Sequence, residues 1–152
     1  MFEQFGEMSY EQLLMAAEGQ LKEGDIDSLK ALAKENGIDE EIAMLYAEGA
    51  IPVLSDAMTA AYGKLDIEVQ EMNEIDRAYG ETIAEYVKGK CEEERRAIEV
   101  RNPKKKLQEC LDTVKKAAEK KIVEKRGTVC VPVPPAEVFK IVRTYYWGDK
   151  GI

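Results

Sequence analysis

Two short runs of side chains have the chemistry of a binding site. One is a lysine run at residues 104–106, and the other is an aromatic run at residues 145–147 near the carboxyl end. Ammonium groups neutralise phosphates or pair with carboxylates. Exposed tyrosine and tryptophan are enriched at the energetic centres of protein interfaces. The candidate partner-binding residues are therefore Lys104, Lys105, Lys106, Tyr146 and Trp147.

The lysine run leaves three interpretations open: a phosphate contact, a contact with a partner protein, or a solvated helix face. No aromatic residue interleaves with the run, which disfavours a platform for stacking single-stranded bases. The aromatic run has two interpretations. Its three adjacent side chains cannot all face one core, so they either close the end of the core or present at least one ring to a partner.

Residues for catalysis are sparse. The chain has no histidine, which removes the commonest general base and the commonest metal ligand. It also contains no phosphate-binding or dinucleotide-binding glycine loop. We therefore expect no catalytic residue, no metal and no cofactor, and an enzyme is the function class least favoured.

Three cysteines at wide spacing form neither a disulfide framework nor a metal motif. We expect reduced thiols that lie mostly on buried helix faces. Cys110 falls on an apolar stripe between Leu107 and Val114, so its thiol should be inaccessible in the native protein.

Charge is divided unevenly along the 152 residues, whose net charge is −8. Residues 1–90 carry 20 acidic and 7 basic side chains, whereas residues 91–152 carry 10 and 15. This asymmetry indicates an acidic or polyanionic partner for the second half, a basic partner for the first half, or two halves that face each other within one chain or across a dimer. The acidic helices could imitate a phosphate track, although ordinary solubility charge explains them equally simply.

The absence of a long apolar run or a basic, apolar leader predicts a cytoplasmic protein that does not enter a membrane. Apolar residues recur at helical spacing, and the fold class is all-α. Ser9 with Gln12 forms a capping box, Asp27 and Asp39 are expected to cap two further helices, and glycines end all three. This predicts an acidic three-helix subdomain over residues 1–50.

Residues 51–152 should form a bundle of longer amphipathic helices. Pro52 and Ser55 open the first of these, and Asn73 is a break. One long helix is predicted from apolar residues that recur mostly at three- and four-residue steps and should form its inner face: Ile75, Tyr79, Ile83, Tyr86, Val87, Cys91 and Ile98. Asn102 and Pro103 should begin the helix that carries the lysine run. One short extended segment is expected near 128–134, before Pro134 and Pro135 start a final helix.

From about Ile83 to Asp149 the chain resembles the PcfK-like family of mobile-element proteins. The segments that carry the resemblance are "IAEYVKGKCEEE", "NPKKKLQECLDTVKKAAEKK" and "VPPAEVFKIVRTYYWGD". The second contains a leucine–cysteine core step at Leu107 and Cys110, and the third contains a tyrosine pair at its end. Some members are inhibitors of type II CRISPR effector nucleases, so the resemblance implies a non-enzymatic anti-CRISPR protein of a phage or conjugative element.

Two other function classes remain open. In the first, the protein is a conjugation or plasmid-maintenance factor that contacts DNA or the transfer machinery through its basic half. In the second it is a helical oligomerisation module, since an amphipathic helix with its own apolar stripe can pair across a two-fold axis.

Overall fold

A computed structural model describes residues 5–124 and 134–148 of the chain. The all-α prediction is confirmed, because the described residues form helices joined by turns and loops. The helices are α1 Tyr10–Lys22, α2 Ile26–Glu35, α3 Glu40–Ala47, α4 Ala57–Glu71, α5 Glu74–Lys90, α6 Glu94–Val100, α7 Leu107–Glu124 and α8 Pro135–Trp147. The extended segment predicted near 128–134 lies outside the described residues except for Pro134.

Local signals define the first three helices. Both halves of the predicted capping box are present at the start of α1, where the Gln12 amide donates to the Ser9 hydroxyl. Asp39 caps α3 as predicted, but the cap of α2 is Asp25 rather than Asp27. Asp25 takes the capping position because its two carboxylate oxygens accept hydrogen bonds from the amide and the hydroxyl of Ser28.

Two apolar cores share α4. The amino-terminal core joins α1, α2 and α3 and includes Leu13, Leu29 and Leu32. The second core is formed by α4, α5, α6, α7 and α8 and includes Leu65, Val87 and Leu107. The amino-terminal core extends past residue 50, because Leu54 and Ala60 also belong to it.

A backbone contact brings the end of α2 close to α4. Gly37 ends α2 with φ of +72°, and it lies directly against Gly63 of α4. A Cβ atom at Gly37 would stand 2.6 Å from the Gly63 Cα, so only glycine fits this approach.

The predicted start of α4 at Pro52 and Ser55 and the predicted single helix from Ile75 to Ile98 are both wrong. α4 starts at Ala57, because Asp56 accepts from the Thr59 amide and caps the helix there. The predicted long helix is two helices, since the chain turns at 91–93 and α6 packs against both α4 and α8.

The first two turns of α5 also differ from the prediction, whereas Ile83, Val87 and Cys91 are buried as predicted. Ile75 and Tyr79 are 77% and 62% exposed, and Ile98 of α6 is also exposed. Asp76 and Gly80 are buried instead. Asp76 turns inward because it accepts from Lys115 and Gln108 of α7, while Met72 packs where a Gly80 side chain would stand.

The thiol prediction is confirmed where the structure describes it. Cys91 and Cys110 are free and fully buried. Burial raises the pKa of Cys91 to about 11 and that of Cys110 to about 12, so neither is a reactive thiolate near neutral pH. Cys130 lies outside the described residues. No described helix has the length and apolar character needed to cross a membrane.

Candidate partner-binding site

The lysine run lies in a loop, residues 101–106, between α6 and α7. The predicted helix start at Asn102 and Pro103 is therefore wrong. Asn102 organises a turn instead, in which its side chain accepts from the Lys104 amide and its carbonyl accepts from the Lys105 amide. The lysines precede α7 and do not form its first turn.

Side chains from remote helices cap α7. The Leu107 amide donates to Glu68 Oε2 of α4 at 2.7 Å, and the Lys106 amide donates to the Tyr145 hydroxyl of α8 at 2.7 Å. An anion at a helix amino terminus complements the helix dipole. The helix starts four residues later than predicted because these partners are available only at that point in the fold.

Lys64 holds the same loop from the interior of the protein. This α4 side chain is 1% exposed, and its ammonium donates to the carbonyls of Val100, Asn102 and Lys105 at 2.8, 2.9 and 2.7 Å. All three ammonium protons thus have acceptors. Burial lowers the pKa of Lys64 to about 8, and the nearby carboxylates of Glu68 and Glu7 act in the opposite direction.

Glu68 stands one turn after Lys64 on the same helix. Its Oε1 atom is buried without a hydrogen-bond partner among the described residues. Burial raises the pKa of Glu68 to about 7, which Lys64 and the Leu107 amide partly offset. Lys64 and Glu68, which we call the α4 clasp, fix both ends of the loop that carries the lysines.

Arg101 ties the start of this loop to the amino-terminal half. Its guanidinium is fully buried and donates to the Met8 carbonyl at 2.8 Å and to the Asn36 side chain at 2.9 Å. A third contact reaches the Ala60 carbonyl at 3.5 Å. The loop is therefore anchored to both cores.

The three lysines have different surroundings. Lys106 forms an ion pair with Glu7 that precedes α1. Lys105 donates to the Tyr145 carbonyl at 2.8 Å. Lys104 is exposed. The run is therefore not a continuous row of free cations, although all three lysines stay at the surface.

The two aromatic candidates are adjacent in the last turn of α8 but have different surroundings. Tyr146 is 1% exposed and its ring belongs to the second core, as the core-closing alternative predicts, so almost none of its surface is available to a partner. Trp147 is half-buried, and its indole Nε1 donates to the Arg96 carbonyl at 3.0 Å. The tyrosine that precedes them, Tyr145, links the lysine loop to Glu109 through its hydroxyl.

A concave surface of about 370 Å³ joins the lysine loop to the end of α8. We call it the basic–aromatic pocket, and its lining residues are Arg95, Arg96, Glu99, Lys105, Tyr146, Trp147 and Gly148. Three of the five candidate residues meet here, with Tyr146 as part of the wall. The sequence analysis missed Arg95 and Arg96, whose only signal was a pair of adjacent arginines after three glutamates.

Glu93 faces both arginines. Its Oε1 lies 3.4 Å from Arg95 Nη2, and its Oε2 lies 3.1 Å from Arg96 Nε. The second contact lacks hydrogen-bond geometry, because Arg96 Nε remains without a hydrogen-bond acceptor among the described residues. Arg96 also lies over the Trp147 ring, 5.7 Å from its centroid. The pocket is thus cationic and has an aromatic wall, and Glu93, which does not line it, makes only loose contacts with its two arginines.

This arrangement is suited to binding an anionic group. Guanidinium groups bind carboxylates and phosphates with directed hydrogen bonds. In residues 5–124 and 134–148 no cluster of potential ligands could hold a metal ion. The absence of catalytic activity stays a prediction.

A second concavity of about 610 Å³ lies between α5, α7 and α8 and is mainly apolar. Tyr79, Val114 and Phe139 are among its lining residues. We assign it no partner, because residues 125–133, which connect α7 to α8, lie outside the described part of the chain.

Comparisons of the chain with protein-family models, with curated proteins and with solved structures found no match. The family resemblance of residues 83–149 therefore stays an expectation, and the functional argument depends on the site itself.

Proposed function

We propose that the protein is a non-enzymatic binding protein that acts by stoichiometric contact with a protein partner. The observation that carries this proposal is the convergence of Arg95, Arg96, Lys105 and Trp147 on one concave surface. Arginine and tryptophan are the residue types most enriched at interface hot spots. The α4 clasp and Arg101 hold this surface in a fixed conformation, which lowers the entropic cost of binding.

A protein partner is favoured over a nucleic acid by the state of the lysines. Lys106 is paired with Glu7, and Lys105 is hydrogen-bonded to α8, so neither is free to follow a phosphate backbone. The net charge of −8 adds a general repulsion for polyanions. DNA contact through the basic half is therefore the second candidate.

The partner that we propose is a type II CRISPR effector nuclease, which the protein would inhibit. This choice is supported by the resemblance to the PcfK-like family alone. Such nucleases hold their guide–target duplex in positively charged channels. A partner's acidic face outside those channels would be the surface that meets the basic–aromatic pocket.

Gel filtration of the protein with a guide-loaded type II nuclease, and separately with duplex DNA, tests the proposal. We expect co-elution with the nuclease, no co-elution with DNA, and reduced cleavage at equimolar protein. Arg95→Glu should weaken both effects. Lys22→Glu is the matched control, since Lys22 is an exposed cation on α1, paired within its own helix, whose reversal should change neither.

Co-elution with DNA alone would instead establish the conjugation-factor alternative. Metal-dependent turnover that survives purification and is lost on one carboxylate substitution would contradict the non-enzymatic reading.

A further inference from the structure

We infer that the basic–aromatic pocket takes a carboxylate side chain from an acidic segment of the partner, and that Glu93, which pairs with both pocket arginines in the free protein, competes for them. The inference deepens the proposed function, because it assigns the chemical group that the same pocket would bind.

The first step in the argument is the charge of the pocket. Arg95, Arg96 and Lys105 line it together with one carboxylate, Glu99. Glu99 accepts from the Asn102 side chain at 3.1 Å and is thereby directed toward the lysine loop. The pocket therefore has an excess of cationic groups within a protein that is acidic overall. An anionic ligand complements it.

The second step is the weak hold of Glu93. A well-placed arginine–carboxylate pair has contacts of about 2.7–2.9 Å. Glu93 stands 3.4 Å from Arg95 and lacks hydrogen-bond geometry toward Arg96 Nε, whose N–H stays without an acceptor among the described residues. The Glu93 side chain is also 54% exposed, so little desolvation opposes its displacement.

The third step is the choice between carboxylate and phosphate. The aromatic wall consists of Trp147, whose indole is already hydrogen-bonded to Arg96, and Tyr146, which is buried. Arg96 already lies over the Trp147 ring, 5.7 Å from its centroid, and Tyr146 is buried, which disfavours a platform for stacking nucleic-acid bases. A peptide carboxylate can bind to the cationic groups of the pocket and contact the edge of Trp147 without stacking on an aromatic face.

Trp147 supplies the readout, because it is the only tryptophan in the chain. A short polyglutamate peptide, titrated into the intact protein at low salt, should change the tryptophan fluorescence saturably at concentrations up to about 1 mM. A polylysine peptide of the same length should not. A single-stranded oligonucleotide of the same net charge should bind more weakly than polyglutamate.

Two substitutions should have opposite effects. Glu93→Gln removes the internal competitor and should tighten polyglutamate binding roughly two- to fivefold, which is the range of an exposed ion pair. The matched control is Glu92→Gln, which makes the same charge change at the neighbouring exposed residue and should have a smaller effect. Arg95→Ala should weaken binding at least as much as Glu93→Gln tightens it. Arg95 is 71% exposed, so the fold should not depend on it.

Equal affinities for Glu93→Gln and Glu92→Gln would overturn the inference, and so would an unchanged affinity for Arg95→Ala or tighter binding of the oligonucleotide. These results are independent of the nuclease assay. If polyglutamate binds as described and no nuclease is inhibited, the proposed partner is wrong and the pocket assignment stands.

Discussion

The amino-terminal helices and the loop between α6 and α7 are held in place by different kinds of contact. In α1, α2 and α3 the capping side chain lies within three residues of the amide that it accepts from, and a glycine with positive φ follows each helix. In the lysine loop the corresponding contacts come from Lys64, Glu68 and Tyr145, which are 36 to 41 residues away from their partners.

This difference determines how each region responds to mutation. A local cap affects one helix, and its loss costs about 1 kcal/mol. A remote clasp affects the docking of several elements, because buried groups lose their partners when it is removed. The proposed binding surface lies on the region of the second kind, so its shape depends on the whole fold.

The largest effect is expected where the amino-terminal helices meet α4, the helix that carries the clasp. Gly37→Ala should destabilise the protein by at least about 4 kcal/mol, since the new Cβ would collide with the Gly63 backbone, which cannot rotate away. Gly24→Ala has the same sign of φ but open space around it, and should cost about 1 kcal/mol. Urea unfolding of both variants measures the difference. Equal costs would mean that the close approach of α2 and α4 is wrong.

Removing the clasp is the next largest change. Lys64→Met keeps most of the unbranched apolar stem but leaves three carbonyls without their donor, and should cost about 3 kcal/mol. Hydrogen exchange at the Leu107 amide should accelerate at the same time. Lys22→Met, at an exposed lysine, should change stability by less than about 0.5 kcal/mol. An unchanged exchange rate at the Leu107 amide in Lys64→Met would show that Lys64 does not hold the loop in place.

The other half of the clasp predicts a pH dependence. The pKa of Glu68 rises from 4.5 to about 7 on folding, so between these values the folded protein holds a proton that the unfolded chain has lost. Its contribution to stability is complete below pH 4.5 and disappears as the pH rises through 7. The contribution is at most roughly 3 kcal/mol, since one pKa unit corresponds to about 1.4 kcal/mol.

Glu68→Gln tests this sign, because glutamine cannot titrate. The unfolding free energy of the wild type should fall between pH 4.5 and 7 by more than that of Glu68→Gln. Glu81→Gln, at an exposed position on α5, should follow the wild-type curve. Parallel curves for all three proteins would show that Glu68 titrates normally.

The smallest effect distinguishes the lysines themselves. Lys106→Glu places two carboxylates together at the Glu7 contact and should cost about 1 kcal/mol. Lys104→Glu is exposed and should leave stability within about 0.5 kcal/mol of the wild type. Thermal unfolding of the two variants measures this contrast. A larger cost for Lys104→Glu would contradict the assigned role of Lys106.

The sequence alone determined the helical class, the caps at Ser9 and Asp39, the break at Asn73 and the burial of Cys110. Each of these follows from neighbours along the chain: a capping side chain close to its amide, or apolar residues at helical spacing. The same reasoning placed Lys105 and Trp147 among the candidate residues, because their chemistry is visible without a fold.

Only the tertiary structure decided where α7 begins, that Tyr146 is buried, and that Arg95 and Arg96 share a pocket with Trp147. The reason is that hydrogen bonding and burial depend on which remote groups arrive at a site. Asn102 and Pro103 are residue types that favour a helix start. The helix nevertheless begins at Leu107, because the Leu107 amide donates to the Glu68 carboxylate of α4. Asp76 is buried and Ile75 is exposed, the reverse of what their polarity predicts, because Lys115 of α7 pairs with the Asp76 carboxylate.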